Sequence, residues 1–466
     1  MADSQAQAFP AKRFFVDMLT RDIELQDAIL DLLDNCVDGA MRLNQSRSVD
    51  PVYPYKGYEA RLTLTATSFV IDDNCGGIPR DLAEKYAFRM GRPDIGRDPE
   101  LPTVGVYGIG MKRAIFKIGR SASILSRVSK DESFEVKIDP RWMDNDEDWN
   151  LPIADVAANA TQFGTSIRIG DLRDGVSRLM SDQSGFVDDL HKAIAAYYGY
   201  IIEKGFRVYV NNEEVTPVQV AFLFDQRSFT SGEGIAPYVY TNDKDDVSVK
   251  LVVGIYRDLP TEQEEEEALA GKAKTERAGW TIICNDRVVM YADKSRLTGW
   301  GEAGVPSYHT QFVSIAGVVV LKSNHPAKLP ITTTKRGIDG NSELYLNIKE
   351  HMREGLKVFT DFTNRWKRPS AEREELRGRA VATSAEAIAA LVPQEKWSTV
   401  YKAGGGRRFK PNLPMPKETD PIKQIRFSKR MSEIQLVAEF LFDDKNTPIG
   451  KVGEQCFDNI LGNINK

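Results

Sequence analysis

The 466-residue chain carries 62 Lys and Arg against 67 Asp and Glu, a net charge of −5, with 41% hydrophobic and 28% charged residues. These are globular proportions, enough for two or three domains, and the charge balance exerts no global pull towards nucleic acid. No apolar run approaches the roughly 18 residues of a spanning helix and no basic-then-apolar leader opens the chain, so neither membrane insertion nor secretion is expected.

In chain order, the first informative element is a helix around Ala28–Ala40. Ile29, Leu32, Leu33, Cys36, Val37 and Ala40 recur at helical spacing. Asp31, Asn35 and Asp38 fall at i, i+4 and i+7 and share one stripe. A carboxylate one turn before a carboxamide offers an oxygen ligand for Mg²⁺ and a base beside it to orient water. The wet side of a surface helix would carry the same pattern. Strands are expected near 61–66 and 69–72, and the second ends in Asp72-Asp73-Asn74-Cys75-Gly76-Gly77-Ile78-Pro79. Carboxylates at a strand terminus can accept from an exocyclic amine such as adenine N6, and the glycines permit close approach or positive φ. An ordinary turn uses the same residue types.

Residues 89–103 are rich in Gly, Pro and charge and lead into Val104-Gly105-Val106-Tyr107-Gly108-Ile109-Gly110-Met111-Lys112-Arg113. Three glycines before an apolar-periodic helix present free N–H groups to a phosphate, with Lys112 adding charge in the first turn. The spacing is not that of a P-loop, since Met111 separates Gly110 from Lys112 and Arg113 stands where Ser or Thr is required. Phe163-Gly164-Thr165 then opens an alternating strand.

These four segments, in this order, resemble the GHKL superfamily of ATPases with its Bergerat fold, which includes gyrase B, heat-shock chaperones, histidine kinases and MutL. The resemblance covers about residues 12–215. It implies an α/β sandwich ATPase domain over residues 1–215 that takes ATP and Mg²⁺, with a lid at about 89–110. By position, Asn35 would coordinate Mg²⁺ and Asp31 would act as catalytic base. Asp73 would bind adenine, Gly77 would make room for the ring, and Asp38 and Ile78 would be further nucleotide-binding residues. Gly105, Tyr107, Gly108, Ile109, Gly110, Met111 and Lys112 would cradle the phosphates, and Thr165 would support the adenine site. The chain departs from the family in having Asp31 for the usual Glu, and Cys75 for the first glycine of the acidic turn.

Further on, a helix is expected over 184–204, closed by Gly205 and followed by a strand. Val247–Tyr256 and Phe312–Leu321 read as strands, and Gly279–Tyr291 as a hairpin across Asn285-Asp286. This α+β region, 216–345, resembles the transducer domain of gyrase B, MutL and the microrchidia proteins. Such domains send a lysine to the γ-phosphate, which makes Lys335 the candidate and Arg336 the second. A mainly helical C-terminal region is expected over 346–466, with a flexible basic connector at 402–430. That connector holds nine Lys and Arg against Glu418 and Asp420, a pattern suited to a DNA backbone, a partner protein or a solubilising linker. The four cysteines are scattered and the four histidines lie at no metal spacing, so reduced thiols and a cytoplasmic location are expected. The overall resemblance is to bacterial microrchidia-like ATPases. It implies a slow ATPase that forms a nucleotide-dependent homodimer and acts on DNA or a partner protein, including in antiviral defence. A chaperone-like ATPase and a nucleotide-binding subunit without turnover are the alternatives.

Overall fold

A computed structural model of the protein describes residues 11–89, 109–146, 148–157, 163–218, 220–261, 264, 277–332, 336–367, 370–402, 404–416 and 425–464. The architecture is mixed α+β. Two compact units emerge, Met1–Pro416 and Lys417–Lys466, and the first contains two lobes, each with its own sheet.

The first lobe opens with α1 (Lys12–Arg21) and α2 (Leu25–Gln45). Its strands are β1 (Glu59–Leu64), β2 (Phe69–Asp73), β3 (Gly119–Arg127), β4 (Ser133–Ile138), β5 (Ile153–Asp155), β6 (Gly164–Leu172), β7 (Arg207–Val210) and β8 (Glu213–Glu214). They form one sheet in the order β5-β4-β3-β6-β2-β1-β7-β8. Every pairing is antiparallel except β1 with β7. The helices pack on the sheet mainly through an apolar cluster that joins Ile29, Leu33 and Val37 to Leu62, Ile71, Ile124 and Ile169. Lys12 ties α1 down. Its ammonium donates to the carbonyls of Trp142 at 2.7 Å and Asp148 at 2.8 Å and lies 3.9 Å from the centre of the Trp142 ring. The helix expected over 184–204 is in fact split at Tyr198 into Asp188–Tyr197 and Gly199–Glu203. Gly205 closes it with φ +101°, where a Cβ would also meet the Lys56 backbone at 2.9 Å.

α2 corrects the picture of a helix with one wet side. Asp31, Asp34 and Asp38 are all buried, and in the stretch from Ala28 to Ala40 only Asn35 is exposed. Asp31 is closed in by Arg113 of its own lobe. Asp34 is covered in part by the second lobe, whose strands are β9 (Ala221–Phe224), β10 (Tyr238–Lys244), β11 (Val247–Ile255), β12 (Gly279–Cys284), β13 (Arg287–Asp293), β14 (Ile315–Lys322), β15 (Val381–Ser384), β16 (Ser398–Thr399) and β17 (Arg407–Phe409). Seven of them form a sheet in the order β13-β12-β14-β11-β10-β17-β16, and β9 pairs with β15. The hairpin between β12 and β13 turns on Asn285 (φ 46°) and Asp286 (φ 67°), the left-handed pair a two-residue hairpin loop requires. Its tip is inserted against the first lobe. Arg287 Nε donates to Asp34 Oδ1 at 2.7 Å, with both side chains about 2% exposed or less. The Tyr198 hydroxyl donates to the same oxygen at 2.5 Å, and Arg287 donates to the Tyr197 carbonyl at 3.1 Å. Next to it Asp286 accepts from Tyr55 at 2.8 Å and pairs with Lys204 at 2.7 Å and Lys322 at 3.2 Å. Burial alone would raise the Asp286 carboxyl, but the two lysines hold it below the usual carboxylate range.

The expectation of a helical region from residue 346 with a flexible connector over 402–430 also needs correction. The helix Glu343–Arg365 buries Ile348, Met352, Leu356 and Phe359 in the core of the second lobe. Val239 pairs with Phe409, so β17 is a strand of the second sheet. Arg408 donates to both carboxylate oxygens of Glu354, at 2.9 and 2.7 Å, and that pairing holds part of the basic tract in the fold. Residues 417–424 lie outside the described residues. Beyond them the second unit consists of the helices Met431–Phe442 and Ile449–Ile464. No helix among the described residues is long and apolar enough to cross a membrane.

Two stability predictions follow from the lobe contact. Arg287→Leu strands the buried Asp34 carboxylate, so unfolding should show a loss of about 3–5 kcal/mol, and a loss under 1 kcal/mol would deny the pair its structural role. Glu203, near Glu386, is raised from 4.5 to about 7, first by burial and then by that carboxylate. The folded chain therefore holds this proton more tightly than the unfolded one, and the contribution fades as pH rises from 4.5 through 7. Glu203→Gln should match the wild type near pH 4.5 and exceed it by about 1–2 kcal/mol at pH 8 once solvent screening is allowed for. A pH-independent difference would remove Glu203 as the cause.

Candidate functional site

A cavity of about 450 Å³ opens beside α2 in the first lobe. Asp31, Asn35 and Asp38 from α2, Asp73, Gly77 and Ile78 from the acidic turn, Ile109, Gly110, Met111 and Lys112 from the end of the glycine loop, and Thr165 from β6 all line it. Segments far apart in sequence are thus brought to one wall. Gly105, Tyr107, Gly108, most of the expected lid and Lys335 lie outside the described residues.

At one end of the cavity, Asp73 Oδ1 accepts from the backbone N–H of Cys75 at 2.7 Å and of Thr165 at 3.1 Å. Burial pushes this carboxyl above the usual range, and the two N–H groups oppose the shift. The Gly-Thr step has a steric cause. A Cβ at Gly164 would lie 1.8 Å from the Asp73 carbonyl oxygen, so only glycine lets β6 run this close to the acidic turn. Gly77 has φ +71°, and a Cβ there would meet the Arg127 backbone at 2.9 Å. Its glycine requirement therefore comes from the chain, independently of any ring in the cavity. Ser126, which the sequence did not single out, fixes this turn by exchanging 2.8 Å hydrogen bonds with both the N–H and the carbonyl of Ile78. Cys75 stands where the resemblance expects glycine. Its thiol group is buried, and its carbonyl lies 2.8 Å from where a Cβ of Gly39 would sit, so α2 meets the turn backbone to backbone. Burial raises the Cys36 and Cys75 thiols well above their ordinary values, which makes both poor nucleophiles.

The other end is ionic. Asn35 Nδ2 donates to the Asp31 carbonyl at 2.9 Å, which leaves its carbonyl oxygen as the group suited to a cation. Among the described residues no group of three or more acidic, His or Cys side chains could hold a metal ion by itself. A Mg²⁺ ion fits such a setting only as the companion of a bound phosphate chain, with water and phosphate oxygens completing its shell. The nine-residue helix Gly110–Ile118 begins here with its N-terminal N–H groups at the cavity. Lys112, 3% exposed, donates to the Ala87 carbonyl at 3.0 Å. Arg113, noted in the sequence only as a mismatch to the P-loop, pairs with Asp31 Oδ2 at 2.6 Å. From the second lobe, Arg336 pairs with Asp27, one helical turn before Asp31, and its guanidinium lies 5.0 Å from the centre of the Tyr197 ring. Arg336 was the second candidate for the γ-phosphate, but the sequence could not show that it and Arg113 pair with carboxylates of α2, because each meets that helix across the fold.

The arrangement predicts the behaviour of Asp73→Asn. Removing a charged acceptor from this site should weaken adenine nucleotide binding about ten- to a hundred-fold. Unchanged affinity by calorimetry in a folded variant would take Asp73 out of the adenine role.

Residues 23–166 match the family model described as histidine kinase-, DNA gyrase B-, and HSP90-like ATPase. No curated protein matches the chain at a significant level. The matched segment runs from the start of α2 into β6 and includes Asp31, Asn35, Asp73, Gly110 and Thr165. Together with the cavity those residues line, it supports a GHKL-type ATPase domain, able to bind ATP, in the first lobe.

Proposed function

We propose that the protein is an ATP-driven conformational switch in which the second lobe reads the state of the nucleotide site. The observation that carries this reading is the hairpin tip on α2. Arg287 grips Asp34, the residue immediately before Asn35, and Arg336 pairs with Asp27 on the same helix. A shift of α2 on nucleotide binding would be felt at once by the second sheet. ATP would lie with adenine against Asp73 and its phosphates towards the helix Gly110–Ile118. Asn35 would hold Mg²⁺, which neutralises phosphate charge when bound. Asp31 would orient a water for attack on the γ-phosphorus and take its proton as the bond to ADP breaks, and Lys335 would approach the γ-phosphate from the second lobe. Asp31 is one methylene shorter than glutamate, so slow turnover is proposed.

Nucleotide would also drive two copies together through their first lobes, as in the microrchidia-like ATPases the chain resembles, and the partner would be DNA or a protein, in a defence setting. For DNA, the exposed Lys402, Arg407, Lys410, Lys429 and Arg430 would serve as phosphate contacts, whereas Arg408 is engaged by Glu354.

Asp31→Asn separates the readings. It should keep nucleotide affinity within a few-fold while steady-state turnover falls on the order of 10²–10⁴-fold. Equal turnover in both proteins would place the base elsewhere, and no turnover in either would favour a binding-only subunit. In the same preparations, light scattering with a non-hydrolysable ATP analogue should show a shift from monomer towards dimer, and a single mass throughout would sink the clamp.

A further inference from the structure

The pairing of Asp31 with Arg113 has no counterpart in the roles assigned above. Arg113 sits in the first turn and a half of the helix Gly110–Ile118 and lines the cavity. One terminal nitrogen of its guanidinium holds Asp31 Oδ2 at 2.6 Å, with the Asp31 side chain only 7% exposed. Its Nε is buried and has no hydrogen-bond partner among the described residues. A buried guanidinium N–H without an acceptor is costly unless something fills it, and the acceptor that suits it is an anion. Gly110 brings this group close to the base. A Cβ there would stand 3.3 Å from Asp31 Oδ2, so the loop, the arginine and the carboxylate already crowd one corner of the cavity. Arg113 is rigid and forked, and can hold a carboxylate with one nitrogen and a phosphate oxygen with another.

We propose that Arg113 recognises the terminal phosphate of the nucleotide from within the first lobe, bridging it to Asp31. The proposal rests on the cavity being the ATP site. The bridge accounts for an aspartate in the place of the longer glutamate: the arginine fixes the short carboxylate beside the phosphate it must act upon. ADP, lacking that phosphate, leaves the bridge unmade, so Arg113 discriminates between the two nucleotides before any bond is broken.

The test is calorimetry on the full chain with the β,γ-imido analogue of ATP and with ADP. Wild type should bind the analogue more tightly than ADP. Arg113→Ala should weaken the analogue about ten- to a hundred-fold, leave ADP within about three-fold, and so erase the preference. Arg113→Lys, which keeps the charge and loses the fork, should retain part of it, and both variants are compared at matched melting temperature. Asp31→Asn should preserve the preference. An undiminished preference for the analogue in Arg113→Ala, or an equal loss for both nucleotides, overturns the role of Arg113 while leaving the ATP site standing. Failure of wild type to bind either nucleotide overturns the site and this role together.

Discussion

Asp34 lies between residues that face the cavity, yet its own carboxylate points the other way, into a contact with Arg287 and Tyr198 that is almost wholly shut off from water. A carboxylate taken that far from solvent is tolerable only with a charged partner and a second hydrogen bond, and breaking such a pair strands a buried charge. The partner comes from 253 residues away. The pair therefore helps fix where the second lobe sits on the first, and it does so through α2, whose opposite side lines the cavity. The centre of the Tyr198 ring lies 4.1 Å from the Arg287 guanidinium, and its hydroxyl, whose one proton is shared between two acceptors, also lies 2.7 Å from the Leu30 carbonyl, so the contact holds both the side chain and the backbone of α2.

The same helix is acidic on the cavity side, and this has an electrostatic consequence. Asp27 and Asp31 stand one turn apart and would repel, but each carries an arginine, Arg336 and Arg113 respectively. One arginine comes from the helix after the glycine loop and the other from the second lobe. The charges on α2 are thus balanced by one arginine that lines the cavity, Arg113, and by one from the second lobe, Arg336.

At the other end of the cavity the constraint is steric. Gly164 and Gly77 each occupy a position where a Cβ would collide with backbone, at 1.8 Å from Asp73 and 2.9 Å from Arg127. The backbone N–H of Thr165 can reach Asp73 because no side chain intervenes at Gly164. Ser126 completes the fixing of the turn. The pocket end is therefore built mostly from main chain, whose position does not depend on rotamer choice.

Much of this was legible in the residues. The stripe Asp31, Asn35, Asp38, the acidic turn at Asp73, the glycine loop and Gly164-Thr165 carry local signatures, because phosphate and turn chemistry demand particular residue types at fixed short spacings. The hairpin across Asn285-Asp286 was equally plain, since two consecutive left-handed residues favour those types. Periodicity left α2 open to being a helix with a wet side, and it could not show that Asp34 is covered, because Tyr198 and Arg287, which cover it, lie 164 and 253 residues further along the chain. A mismatch to the P-loop drew attention to Arg113 without revealing its partner Asp31, 82 residues earlier. The basic tract looked like a connector because charge and glycine dominate its composition, while the pairing of Val239 with Phe409 and the grip of Glu354 on Arg408 are long-range. Local chemistry is written in neighbouring residues, so the sequence by itself determined the motifs and the turn types. Which charges become buried, and against what, depends on contacts that close large loops, and only the tertiary structure decided those.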